Sequence, residues 1–115
     1  LLSSSRTYYH SETTIKGIIQ NIIDLGVGEL ILQSVSADGT LLGFDFSLLT
    51  KYSEGCSIPC LISGGCSSNS NIQDAFHKKF DGVVVGRHFV LKPPQNGVLI
   101  QYPSEELFET IVGDR

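Results

Sequence analysis

The sequence contains no methionine and no tryptophan, only three cysteines and four prolines, and few charges, with Asp, Glu, Lys and Arg making up 17% of its 115 residues. Each shortage excludes something. Eight Lys and Arg against twelve Asp and Glu leave a formal net charge of −4, so no basic surplus exists to neutralise a phosphate backbone, and nucleic-acid binding is not expected. No apolar run approaches the roughly 18–20 residues that cross a bilayer. Leu1-Leu2-Ser3-Ser4-Ser5 is too short for the core of a signal peptide, so no membrane role is expected and the cytoplasm is the expected compartment. Cys56, Cys60 and Cys66 are odd in number and lack C-x-x-C spacing, which points to neither a disulfide framework nor a zinc site and fits a reducing environment. His10, His77 and His88 have no metal-ligand spacing; no metal or other cofactor is expected. A translated chain begins with methionine, whereas this one begins Leu1-Leu2, so the sequence reads as part of a longer protein.

What is present is an alternation of helix-like and strand-like segments. Ile15, Ile18, Ile19, Ile22 and Ile23 follow the spacing of one helical face, with Ser11 as candidate cap and Gly26 as candidate stop. Residues 29–35, Glu29-Leu30-Ile31-Leu32-Gln33-Ser34-Val35, read as a strand buried on both faces, as parallel strands are. Ile58-Pro59-Cys60-Leu61-Ile62-Ser63 and Gly82-Val83-Val84-Val85-Gly86 are the second and third strands, the valine run being the strongest β signal. Between them, Asp45 is placed to cap a short helix carrying Leu48, Leu49 and Tyr52. Ser70-Asn71-Ile72-Gln73 fits a capping box for a helix with Ile72, Ala75, Phe76 and Phe80 inward and Lys78 and Lys79 in its last turn. Beyond the third strand, Lys92 to Gly97 is loop-forming, Val98-Leu99-Ile100 is apolar, and Ser104 opens a final helix through Val112. Strand starts recurring at roughly 25–30 residues are the spacing of βα units, which predicts an α/β fold with a parallel sheet covered by helices. Either an open doubly wound sheet or part of a (β/α)8 barrel satisfies that order. A complete barrel takes about 200–250 residues, so residues 1–115 would form a single partial domain, about half of one.

In both architectures ligands bind at the carboxyl ends of the strands, which here means Ser34 to Thr40, Ser63 to Cys66, and Gly86 to His88. Gly64, Gly65 and Gly86 follow two successive strands, and glycine lets backbone N–H groups approach a phosphate unobstructed; a Gly-Gly pair is equally a plain turn. A bulky β-branched residue at Gly65 is expected to weaken phosphate binding while leaving the fold largely intact. Asp38, the one carboxylate in those loops, suits a general acid or base, or is simply the Asp of an Asp-Gly turn. Glu29, at the opposite end of its strand, reads as a surface charge. His77 beside two lysines reads as solvated, His88 as a candidate ligand contact, and Cys66 as a small filler.

Gly26-Val27-Gly28-Glu29-Leu30-Ile31-Leu32, continuing through Ser34-Val35-Ser36-Ala37-Asp38-Gly39-Thr40 and Gly43-Phe44-Asp45, resembles the sixth βα unit of the cyclase subunit of imidazole glycerol phosphate synthase. Ile58 to Gly65 is similar to that family's seventh strand and phosphate loop, and the match extends through the strand ending at Gly86. Phe89-Val90 and Gly97-Val98-Leu99-Ile100-Gln101-Tyr102-Pro103 resemble a paralogous branch that uses ammonia to build an acetamidino group in bacterial surface-sugar pathways.

The resemblance implies the C-terminal half of a (β/α)8 TIM barrel belonging to a cyclase-type lyase. Such an enzyme takes ammonia from a glutaminase partner to cyclise or amidate a phosphorylated small molecule, in histidine biosynthesis or the related sugar pathway. It further implies that Asp38 serves the reaction at the substrate's phosphate end. Gly39, Ser63, Gly64, Gly65, Gly86 and Arg87 would hold the phosphate, and Glu29 would join an ammonia gate at the barrel's base, where the glutaminase docks. The family's general acid and base end strands 1 and 5, upstream of this sequence. The polypeptide alone is therefore expected to be inactive and to need the missing N-terminal half-barrel or self-association. Three positions depart from the family pattern: Ser36 replaces an Asp, Ala37 an Arg, and Arg87 falls in a usually small pair, where it is suited to bond a phosphate directly. Two other functions fit the same loops, a non-catalytic phosphate-binding half-barrel that self-associates and a sugar-phosphate isomerase of the same superfamily.

Overall fold

Three short parallel strands position everything that follows. The computed structural model describes residues 12–92, 97–98 and 104–112. In chain order these form α1 (Glu12–Asp24), β1 (Leu30–Gln33), α2 (Phe46–Ser53), β2 (Cys60–Ser63), α3 (Asn69–His77), β3 (Gly82–Val84), α4 (Arg87–Val90), β4 (Leu91–Lys92), β5 (Gly97–Val98) and α5 (Glu105–Val112). β1, β2 and β3 lie side by side in that order, Ile31 opposite Leu61 and Leu61 opposite Gly82. The fold is therefore α/β with a parallel sheet. β4 and β5 pair antiparallel, apart from that sheet; like the four-residue α4, they are too short to leave a periodic signature in sequence. Ser11, His10, Pro93 to Asn96 and the segment Leu99 to Pro103 lie outside the described residues. Among the described residues no helix is long and apolar enough to cross a membrane.

Local chemistry sets the helix boundaries. Asp45 Oδ1 accepts from the Leu48 N–H at 3.1 Å and starts α2, and Ser104 Oγ accepts from the Leu107 N–H at 3.2 Å ahead of α5. The cap of α3 is Ser68, two residues before the expected Ser70. Ser68 is extended and accepts from the Asn71 N–H at 3.2 Å, while Asn71 Oδ1 reaches back to Ser67 N at 3.0 Å and Ser67 Oγ at 2.7 Å. Lys78 and Lys79 fall just past the helix rather than in its last turn: Lys78 caps it, Lys79 turns left-handed, and Phe80 N bonds back to Ala75 O.

One face of the sheet packs on the helices. Cys60 and Ile62 of β2 join Phe44, Leu49, Cys66, Ile72, Ala75, Phe76, Phe80 and Ile111 in a single buried cluster, with Leu30, Leu32 and Val83 against its edge. At about 25 cal/mol per Å² of apolar surface removed from water, this cluster is what holds helices to sheet. α5 packs on α3 and contributes Ile111. α1 is covered less well: Ile19 is buried, but Ile18 of the same stripe is 40% exposed.

The expected burial of β1 on both faces does not hold. Side chains alternate across a strand, and the other face of the sheet presents Ile31 at 54% and Val84 at 42% exposure. β1 is also shorter than the expected 29–35, because the Ser34 carbonyl turns to accept from Ala37 N and Asp38 N at 3.2 and 3.0 Å.

Candidate anion-binding site at the carboxyl ends of the strands

All three strands end on one cavity of about 230 Å³. After β1, the chain from Ser34 to Gly43 folds back on itself. Thr40 Oγ1 donates to the Ala37 carbonyl at 2.7 Å and accepts from Leu42 N at 3.2 Å. Leu41 has a φ of 57°, a left-handed conformation costing a leucine about 1–2 kcal/mol. This turn brings Asp38, exposed on the rim, and Gly39 to the cavity, with Gln33 of β1 beside them.

After β2, the chain must pass between two neighbouring backbones. A Cβ on Gly64 would lie 2.5 Å from the Ser34 carbonyl oxygen, and one on Gly65 would lie 2.2 Å from that of Gly43. Both residues also have φ near +100° (104° and 95°). The close approach is locked by Gly43 N donating to the Gly65 carbonyl at 2.7 Å. The expectation that a β-branched residue at Gly65 leaves the fold intact is thus corrected: its Cβ would drive into backbone, not into the cavity. The Gly-Gly pair joins the first two loops, and both residues line the site through their main chain.

After β3, Val85, Gly86 and Arg87 close the cavity. Arg87 Nη1 donates to the Gly39 carbonyl and so straps the third loop to the first. Arg87 Nε and Ser34 Oγ are buried polar atoms with no hydrogen-bond partner among the described residues. Native proteins pair nearly all such groups, so an orphan needs a reason. Asp38 is the one carboxylate and Arg87 the one cation among the residues lining the cavity.

Seven of the expected residues therefore meet at one place: Asp38, Gly39, Ser63, Gly64, Gly65, Gly86 and Arg87 all line the cavity. Glu29 does not; it is exposed at the amino end of β1. His77 is exposed, and His88, instead of facing the cavity, sets Nε2 3.2 Å from Asn69 Oδ1 with its ring tilted on Phe89. Cys66 lines the cavity floor, but burial pushes its thiol up despite a contact with the Ser68 carbonyl, in keeping with a filler role. No group of three or more His, Cys, Asp or Glu suited to a metal occurs among the described residues. Four lining residues fall outside the loops expected from sequence, Gln33, Leu41, Val84 and Val85. Gln33 was findable as the last residue of β1, opposite Ser63.

The family model described as "Histidine biosynthesis protein" matches residues 6–92. The chain is 34% identical over 91 residues to a putative imidazole glycerol phosphate synthase subunit HisF of Leptospira borgpetersenii, covering 78% of this chain and 36% of that protein. It is 31% identical over 105 residues to the corresponding protein of Leptospira interrogans, covering 86% and 41%. It is also 35% identical over 88 residues to an imidazole glycerol phosphate synthase subunit HisF of Pseudoalteromonas translucida, covering 76% and 33%. The chain thus spans between a third and about two-fifths of these relatives' length.

Proposed function

The chain belongs to the histidine biosynthesis protein family, and we propose that it is the phosphate-binding part of a cyclase-type subunit of imidazole glycerol phosphate synthase, built as a portion of a (β/α)8 barrel. The complete barrel would take ammonia from a glutaminase partner in the cytoplasm and use it to cyclise or amidate a phosphorylated small molecule. The histidine pathway and the related sugar-amidation branch share that chemistry. One observation carries this reading: the carboxyl ends of three successive parallel strands converge on a single cavity with one cation, one carboxylate and paired glycines in its wall. Backbone N–H groups and a guanidinium are the donors that phosphate oxygens require. In this reading Gly39, Ser63, Gly64, Gly65, Gly86 and Arg87 hold the phosphate and Asp38 serves the reaction at that same phosphate end. Glu29, at the far end of β1, belongs to the ammonia entrance against which the glutaminase docks. Turnover is assigned to the complete barrel, because the family resemblance puts the general acid and base at the ends of strands 1 and 5, which are not among the three described parallel strands.

The test is to place Asp38→Asn in the complete barrel and to assay ammonia-dependent turnover alongside thermal stability. Turnover is expected to fall by about tenfold or more with the melting temperature nearly unchanged. Undiminished turnover would return Asp38 to the role of a turn residue. A second reading, a phosphate-binding module that self-associates, draws on the open face of the sheet at Ile31 and Val84. Size-exclusion chromatography separates the two: a stable dimer favours the module, a monomer the barrel portion.

A further inference from the structure

Arg87 is held at one end only. Nη1 donates to the Gly39 carbonyl, whereas Nε is buried and finds no acceptor among the described residues. A guanidinium presents its donors in a rigid planar fork, so with Nη1 committed, the edge carrying Nε is left for a second acceptor. An unmade hydrogen bond to a buried charged group is unfavourable, and nothing else lining the cavity is cationic. The other end of the strap is a strained turn. Gly39 and Leu41 have φ of 74° and 57°, and a leucine held there is the kind of outlier found in switch segments. Asp38 immediately precedes Gly39 in that turn.

We infer that Arg87 is a positioning residue with two ends, coupling the arrival of a dianionic phosphate monoester to the placement of Asp38. The inference rests on the phosphate reading above and deepens it. Two oxygens of one phosphate match the planar fork. Because Nε is covered, the guanidinium edge must turn toward an incoming oxyanion to be reached, and Nη1 carries Gly39, and with it Asp38, in the same movement. Anion binding and the setting of the carboxylate are one event.

The experiment titrates inorganic phosphate, glycerol 3-phosphate and acetate into the full 115-residue chain, reading affinity by calorimetry and the turn by amide hydrogen exchange over residues 36–42. Wild-type chain is expected to bind both phosphates, more tightly than acetate, and binding is expected to slow exchange in the turn. Arg87→Lys keeps the charge but loses the fork. It is expected to bind phosphate about ten- to a hundredfold more weakly, the size of a charge-assisted hydrogen bond, with no slowing of turn exchange. Equal affinity in wild type and R87K overturns the inference and leaves the phosphate site standing, as does wild-type binding with unchanged exchange at 36–42. Acetate binding as tightly as phosphate overturns the ligand class. Absence of phosphate binding to wild type overturns the phosphate reading itself and the inference with it. The wild-type exchange measurement decides the coupling even where R87K fails to fold.

Discussion

The two ends of the same three strands are finished differently. At the amino end the polar groups close on one another. Asp81 Oδ2 accepts from Cys60 N at 2.8 Å, Asp81 N donates to the Cys60 carbonyl at 2.9 Å, and Leu30 N donates to the Pro59 carbonyl at 2.9 Å. The Cys60 thiol there is pushed up to about 11, chiefly by burial and then by neighbouring Cys56 and Asp81, which removes it as a nucleophile at neutral pH. At the carboxyl end Ser34 Oγ and Arg87 Nε have no partner among the described residues and Leu41 is left-handed, all around the candidate site. The hollow at the amino end is instead lined by Cys60 and Asp81, whose backbone and carboxylate are already paired. The contrast separates two uses of one sheet. Where these backbone groups are satisfied locally they fix the strands in place; where groups are buried without a partner among the described residues, the end is arranged around something yet to bind.

Substitutions break that comparison most sharply where backbone meets backbone. Gly65→Val places a Cβ 2.2 Å from the Gly43 oxygen, at a φ of 95°. It is expected to lose about 4 kcal/mol or to fail to fold, read by urea unfolding. At the amino end, Asp81→Ala leaves the buried Cys60 N–H without its acceptor. A loss of about 2 kcal/mol is expected, with phosphate affinity unchanged in calorimetry because the cavity lies at the other end.

The pH dependence has a definite sign. Cys60 is neutral in the fold until about 11, whereas an ordinary thiol ionises near 9.0. Its contribution is complete below about 9 and is lost as pH rises toward 11. Urea midpoints are therefore expected to fall across that window, and Cys60→Ala to flatten the slope. The smallest effect on stability is expected at Gly86, where a Cβ meets nothing within 4 Å. Gly86→Ala should change stability by no more than about 0.5 kcal/mol, so any loss of phosphate affinity it causes reports on the cavity alone.

The strands and their order were legible because a valine run, two further apolar runs and the glycines behind them are local signals. Asp45 was legible as a cap for the same reason. The cap of α3 was not, since Ser67-Ser68-Asn69-Ser70-Asn71 offers a capping side chain at every position and only the fold selects Ser68. The open face of β1 was not, because apolar residues on both sides of a strand say nothing of what lies against them. The convergence of Asp38, the glycines and Arg87 followed from the rule that parallel strands deliver their loops to one end. The strap itself was invisible, since Arg87 and Gly39 are 48 residues apart and nothing in either neighbourhood announces the other. Gly65 was read for a ligand when its first duty is to let two backbones pass.

The central claim is that the carboxyl end of the sheet, and not the amino end, receives phosphate. Backbone amide resonances followed while inorganic phosphate is titrated into the chain test it directly. The account predicts that Gly39, Gly64, Gly65, Gly86 and Arg87 shift together with one saturating affinity while Leu30, Cys60 and Asp81 stay in place. Shifts confined to the amino end, or no saturable shift at all, would contradict it.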